Sequence, residues 1–168
     1  TLFPYTTLFR FEEQTHSIIS RDTLSPLTVA ITHHKLGTAR MLLDREPGLA
    51  NVPDQSPNGD YPMHKAAWVS AKAVDLLLEF NADINAQNKR GETPLMLARD
   101  EESAEMLLQR KPNVNVASHD GRTALMLLAR RGFHGTVESL LLNGADVNAK
   151  DDRGKTALTH ALDSFVTS

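Results

Sequence analysis

Ala149–Thr156, AKDDRGKT, has the spacing A-x-x-x-x-G-K-T of a relaxed phosphate-binding loop. That chemistry needs a buried strand before the loop and a run of backbone N–H groups free to wrap an anion. The preceding residues, GADVN, do not read as a buried strand, and Asp151 and Asp152 would repel phosphate. Asp151, Gly154 and Thr156 also recur in register as Ser118, Gly121 and Thr123, where no such motif exists. The stretch is therefore predicted to be a structural turn, with no nucleotide or other cofactor. The seven His residues form no metal constellation. His33 and His34 are adjacent, so on a helix they diverge by about 100° and do not chelate one ion from one face. The chain has no Cys, which removes thiolate metal sites and disulfides. No Ser/His/Asp set or carboxylate pair stands out, and Asp100-Glu101-Glu102 reads as a solvated charge run at a turn. The chain is not expected to be an enzyme.

The elements that would position any site are helical by composition. Of 168 residues, 40% are hydrophobic but only 5% aromatic, so the core must be aliphatic, rich in Leu and Ala. A net charge of −3 gives no case for a nucleic-acid or anionic-membrane partner. No run of eighteen apolar residues is present, so no membrane span is expected. The lack of Cys fits a reducing, intracellular compartment. Thr1–Arg10, TLFPYTTLFR, has neither helical nor strand period. It back-translates residue for residue to ACA CTC TTT CCC TAC ACG ACG CTC TTC CGA, a string that resembles a common short-read sequencing adapter. Residues 1–10 are therefore read as an artefact and 11–20 as a lead-in, and the chain as a fragment.

Residues 21–168 are organised by an internal repeat. Five segments begin alike: SPLTVA from Ser25, YPMHKAA from Tyr61, TPLMLA from Thr93, TALMLLA from Thr123 and TALTHA from Thr156. Their starts lie 36, 32, 30 and 33 residues apart. Four end alike: PGLAN, NADIN, KPNVN and GADVN, closing at Asn51, Asn85, Asn115 and Asn148. This pattern resembles the ankyrin repeat, and Thr123–Asn148 follows it at full length. The units are 21–51, 52–85, 86–115, 116–148 and a truncated 149–168. The resemblance implies an all-α solenoid of helix-turn-helix units joined by short hairpins.

Each unit also has a physical reading. Thr93, Thr123 and Thr156 are suited to cap a first helix, and Pro26, Pro62 and Pro94 follow where an N–H is dispensable. A second helix carries the Leu stripe, and Gly144 or Asn81 takes the left-handed position after it. NKRG, SHDG and DDRG then form tight turns. A lone unit cannot bury its stripe, whereas stacked units do. Two departures stand out. Thr93–Asn115 is three residues shorter than Thr123–Asn148, the loss falling between Ala98 and Leu107, and Lys111-Pro112 replace Gly-Ala. This unit is expected to be a stability minimum. The first hairpin, NVPDQSPNGDY, is two residues longer than the next and is expected to protrude. Asn85, Asn115 and Asn148 are expected to bond their hairpin backbone. The resemblance also allows hydroxylation of such Asn, with Leu77, Leu107 and Leu140 eight residues upstream. His64 is expected to link neighbouring repeats.

The resemblance implies a function in binding a partner protein. Its variable slots flank the turn Gly and lie along the exposed first helix. Carried onto this chain they are Lys65, Trp68, Lys89, Arg90, Glu92, Leu97, Asp100, His119, Asp120, Arg122, Leu127, Arg130, Arg131, Asp152, Arg153, Lys155 and His160. Eight are cationic and four acidic, opposite in sign to the whole chain, so a partner with an acidic segment is expected. The alternative is the regulatory array of a longer enzyme or channel.

Overall fold

A computed structural model describes residues 25–166, with side chains through Asp163. The artefact and lead-in readings for 1–20 lie outside the described residues. Four helix pairs form in chain order: α1 (Pro26–Thr32) with α2 (Leu36–Arg45), and α3 (Pro62–Val69) with α4 (Ala71–Glu79). Then come α5 (Pro94–Leu97) with α6 (Glu101–Leu108), α7 (Ala124–Arg130) with α8 (His134–Leu142), and finally α9 (Ala157–Val166). Helices α1, α3, α5, α7 and α9 stack successively as one layer, and α2, α4, α6 and α8 as a second. The described residues are thus an all-α solenoid.

The core lies between the layers and is aliphatic. Leu27, Ile31, Met63, Leu95, Met96, Met126 and Leu128 fill it from the first helices, and Leu43, Leu77, Leu107 and Leu140 from the second. Small residues set the close approaches. Ala67 and Ala98 are fully buried, and the Arg99 N–H reaches across to the Ala67 carbonyl at 3.1 Å. Side-chain caps come from Ser25, Ser70 and Asp100, which accept from the N–H groups of Thr28, Ala73 and Ser103. Thr93 and Thr123 sit at N-cap positions with extended backbone, but their hydroxyls cap nothing, contrary to the sequence reading. Both side chains are buried at the repeat interface, and the Thr123 hydroxyl has no partner there.

Each hairpin is closed across its base by a backbone bond. The N–H groups of Asp54, Asn88, Ser118 and Asp151 donate to the carbonyls of Asp60, Glu92, Arg122 and Lys155 at 2.8, 3.0, 2.9 and 3.0 Å. The longer first hairpin does not stand clear of the array as expected. Asp54, Gly59 and Asp60 are buried, and the Asn58 carbonyl accepts from the next hairpin's Lys89 N–H at 2.9 Å. Lys65 draws the loop inward by pairing with Asp60 at 2.6 Å and Asp54 at 3.7 Å.

The short third unit has a four-residue α5, against eight residues in α3 and seven in α7. Its end is also weaker. After α4 and α8, Asn81 and Gly144 turn left-handed, and two bonds close each end: Asn81 to Leu78 with Ala82 to Leu77, and Gly144 to Leu141 with Ala145 to Leu140. After α6, Lys111 takes the same turn at φ 52°, and Pro112 has no N–H for the second bond. A left-handed Lys is strained where Gly is not. Lys111→Gly is therefore expected to stabilise the array by about 0.5–1 kcal/mol, the relief of strain outweighing Gly's added chain entropy. Urea unfolding checks this; an unchanged or lower midpoint contradicts it. The same weakness should speed amide exchange in α6 relative to α8, and equal protection in native-state hydrogen exchange counts against it.

Candidate protein-interaction face

The face is built on the hairpin tips, which stack by backbone bonds. Lys89 N–H donates to Asn58 O, His119 N–H to Arg90 O at 2.8 Å, and Asp152 N–H to Asp120 O at 3.1 Å. Within each tip one polar side chain holds the turn. The Asn88 Oδ1 accepts from the N–H groups of Arg90 and Glu92, and the Asp151 Oδ1 from those of Arg153 and Lys155. Asp151 thus occupies the very N–H groups a phosphate would need, so AKDDRGKT is a hairpin. The Lys155 and Arg153 N–H bonds hold the Asp151 carboxyl below its usual range even against burial, with His160 adding to the effect.

Successive units are also stapled by the Asn residues that end them. Asn51 accepts from Asp83 N–H at 2.7 Å and donates to Asn81 O. Asn85 accepts from Asn113 N–H at 2.8 Å. Asn115 accepts from Asp146 N–H at 2.8 Å and donates to Gly144 O. This corrects the sequence reading, in which each Asn bonded its own hairpin. The stacking brings the loop after the next second helix within reach of the amide, and local turns are already served by Asp83, Asn113 and Asp146.

His64 is buried and links two repeats. Its Nε2–H donates to Glu92 O at 2.8 Å and its Nδ1 accepts from Tyr61 N–H at 3.1 Å. Burial lowers its pKa, against the raising effect of the Glu92 carbonyl, so the neutral ring is favoured. The matching Met96 and Met126 are buried core residues.

The seventeen candidate positions separate into distinct groups. Lys89, Arg90, His119, Arg130, Asp152, Arg153 and Trp68 are exposed. Three cations are taken up internally: Lys65 by Asp60, Arg122 by Asp120 and Lys155 by Asp163. The Arg122 guanidinium holds the Asp120 carboxyl down at about 2. Arg131 is exposed as a residue, but its guanidinium donates to the Ala98 carbonyl. Leu97 and Leu127 are half-buried. Asp100 caps α6, which corrects its placement in a purely solvated charge run; Glu101 and Glu102 are exposed in that helix's first turn.

Two candidates are not on the exposed face. Glu92 is buried and accepts from the Asn88 amide at 3.1 Å, because the residue after the turn Gly points between hairpins here. His160 is buried with Nε2 at 2.9 Å from Asp151 Oδ2, since α9 lays that slot over its own hairpin. One exposed residue escaped the sequence reading: Arg99, whose guanidinium lies over Trp68, 5.9 Å from the ring centroid.

Among the described residues no group of His, Asp and Glu is arranged to hold a metal ion, and no helix is long and apolar enough to cross a membrane. A family model described as ankyrin repeats (3 copies) matches residues 48–118 and 99–165. The human neurogenic locus notch homolog protein 1 is 41% identical over 105 residues, 60% of this chain and 4% of its own length. The zebrafish (Danio rerio) protein of that name is 38% identical over 115 residues, 65% of this chain and 5% of its own. The human notch homolog protein 2 is 40% identical over 105 residues, 60% of this chain and 4% of its own. The match thus spans about a twentieth of these relatives' length. Ankyrin repeats are protein–protein interaction modules, and the family is typically non-enzymatic. With a family model covering most of the described repeats, in register with the helix pairs and hairpins above, this chain belongs to the ankyrin-repeat family.

Proposed function

We propose that this chain is a non-enzymatic scaffold that binds a partner protein through its hairpin tips and the exposed side of its first helices, and that it prefers an acidic segment. One observation carries the reading. Lys89, Arg90 and Arg153 stand exposed on a backbone-bonded row of tips with no side-chain partner among the described residues, whereas Lys65, Arg122 and Lys155 are neutralised by Asp. A fixed row with unpaired cations favours an extended anionic chain.

Selection of displayed peptides against the full chain tests this. Enriched sequences should be rich in Asp and Glu, and the triple variant Lys89→Glu, Arg90→Glu, Arg153→Glu should weaken them about tenfold. That figure assumes several exposed contacts of about 0.5 kcal/mol each. Affinity should fall as salt rises. Enrichment without acidic bias, or affinity indifferent to both the variant and salt, would defeat the reading.

A second reading, the regulatory array of a longer enzyme or channel, is favoured by the relatives, whose matched segments are about a twentieth of their chains. A full-length transcript that encodes a catalytic or membrane domain beside the array would support it, and one that encodes none would dismiss it.

A further inference from the structure

The burial pattern of the first four units breaks at α9. The slot two residues after each first-helix start holds Leu27, Met63, Leu95 and Leu125, all 2% exposed or less, whereas Leu158 in α9 is 69% exposed. In each earlier unit the first helix packs on the second helix of its own unit, and among the described residues α9 has no such helix. Leu162, one turn on from Leu158, is exposed as well. The neighbouring α8 and the loop after it match. Leu141 and Val147 are 45% and 53% exposed, while Leu108 and Val114, in the same slots of the third unit, are at most 5% exposed.

Two polar groups share this end, and the inner units show what such groups hold. Asn51, Asn85 and Asn115 each accept an N–H from the loop that follows the next second helix. Asn51 and Asn115 also donate to the carbonyl of the left-handed residue that ends that helix. Asn148 is the same residue of the fourth unit; it is exposed, and its side-chain amide has no partner among the described residues. On α6, Glu105 accepts from Ser139 of the following second helix at 3.0 Å, and Glu138 holds that slot, exposed, on α8. In the inner units a single element meets the apolar and the polar slots together, a second-layer helix. It carries a fully buried Leu77, Leu107 or Leu140, and a buried Ala73, Ser103 or Thr136 four residues earlier. Four residues after the Leu comes a left-handed Asn81, Lys111 or Gly144.

We infer that the end face of α8 and α9, formed by Leu141, Val147, Leu158 and Asn148, docks an amphipathic helix of a partner protein with the pattern small-x-x-x-Leu-x-x-x-Gly. The face repeats the α6 side of the α6–α8 interface in register, so an interface of this same fold sets the geometry of the occupant. The Leu covers Leu158, the small residue admits the helix close to α8, and the Asn148 amide receives the helix C-terminus, whose last carbonyls have no partner within the helix. Asn148 thereby fixes direction: the docked helix runs parallel to α8, as α8 does to α6. Glu138 favours a hydroxyl or an ammonium directly before the Leu. The face is a surface other than the hairpin tips, and the inference does not rest on the acidic preference proposed for them.

The probe is a labelled synthetic peptide with the sequence of residues 132–148, which carries Thr136, Leu140 and Gly144 in that pattern. Anisotropy with the full 168-residue chain should show saturable binding. Leu158→Asp in the chain, or Leu140→Asp in the peptide, should weaken it about tenfold or more, because each sets a charge inside the apolar contact. Asn148→Ala should weaken it about threefold, and a peptide of reversed sequence should not bind. The tip variant Lys89→Glu, Arg90→Glu, Arg153→Glu should change it by less than about twofold. The substituted chain positions are all exposed, and far-UV circular dichroism checks that the helices are kept. Failure of wild type to bind, or binding indifferent to Leu158→Asp, overturns the inference and leaves the tip reading standing. Loss with the tip variant in place of Leu158→Asp overturns it too. Sedimentation velocity should find the chain alone monomeric; a dimer that Leu158→Asp dissociates would assign the face to a second copy. Protein made from a full-length transcript should bind the peptide as well. If it does not while the 168-residue chain does, a helix of its own chain fills the face. Either of these results overturns the assignment to a partner.

Discussion

His64→Leu should lower the unfolding free energy by about 2–4 kcal/mol, more than any surface change considered above. The ring is buried and makes one bond within its unit and one to the next. Leucine fills similar space but makes neither. The Tyr61 N–H then has no acceptor, and an orphaned buried donor costs about 1–3 kcal/mol. The Glu92 carbonyl keeps its bond from Asn88 N–H, so that side loses only an ordinary hydrogen bond of about 1 kcal/mol. Because the second bond crosses units, the loss should also uncouple the first two repeats from the rest. A broadened or two-step urea transition would show this.

The same residue sets a pH dependence. Burial lowers the folded-state pKa of His64 below the ordinary value near 6.5. Above that value both folded and unfolded chains carry it neutral, and its contribution is complete. As pH falls below about 6.5 the unfolded chain takes up the proton first, so stability declines until the folded pKa is passed. Wild type should thus lose stability more steeply than His64→Leu on acidification from about pH 6.5 to 5. Asp60, Asp120 and Asp151 have lowered folded pKa values, so their contributions fade at more acidic pH, below about 4, in both proteins. Equal slopes in the two proteins between about pH 6.5 and 5 would contradict the assignment to His64.

Much of this array was legible because its signals are local and repeated. Pro at a first helical position, the Leu stripe, and Gly or Asn after it each act through neighbours in sequence, and the structure places α1 through α9 where they fall. The incorrect details depend on distance between units. The amides of Asn51, Asn85 and Asn115 reach across the stack, so their partners are set by the spacing of repeats. Glu92 and His160 occupy slots that the family pattern marks as exposed, yet Asn88 and Asp151 draw them inward. Arg99 escaped for a different reason. Counted from the start of its helix it falls in the slot of Ala67 and Ala129. Only the early end of α5 turns that slot outward, and a three-residue shortening shifts everything counted from the helix start.

Gly121→Ala should cost about 2–4 kcal/mol, while Gly154→Ala, at nearly the same backbone angle, should cost about 1 kcal/mol. Both glycines turn left-handed, at φ 77° and 74°. An L-residue is strained there, and that part of the cost is common to both. The difference lies in what a Cβ would meet. At Gly154 nothing lies within 4 Å. At Gly121 the new atom would sit 3.0 Å from both the Asp151 Cα and the Asp152 N, which are backbone atoms of the next hairpin. Relief requires the two tips to part. That lengthens the Asp152 N–H bond to Asp120 O and disturbs the Asp151 carboxylate, which holds Arg153, Lys155 and His160. The pair of variants therefore separates turn strain from tip stacking by urea unfolding, and equal losses would mean that the stacked tips contribute little. The comparison also bears on binding. Gly121→Ala should displace Arg153 from the row without changing the charge of any tip. Its effect on an acidic peptide then reports how much of the affinity the regular spacing of the tips supplies, independently of the charge each carries.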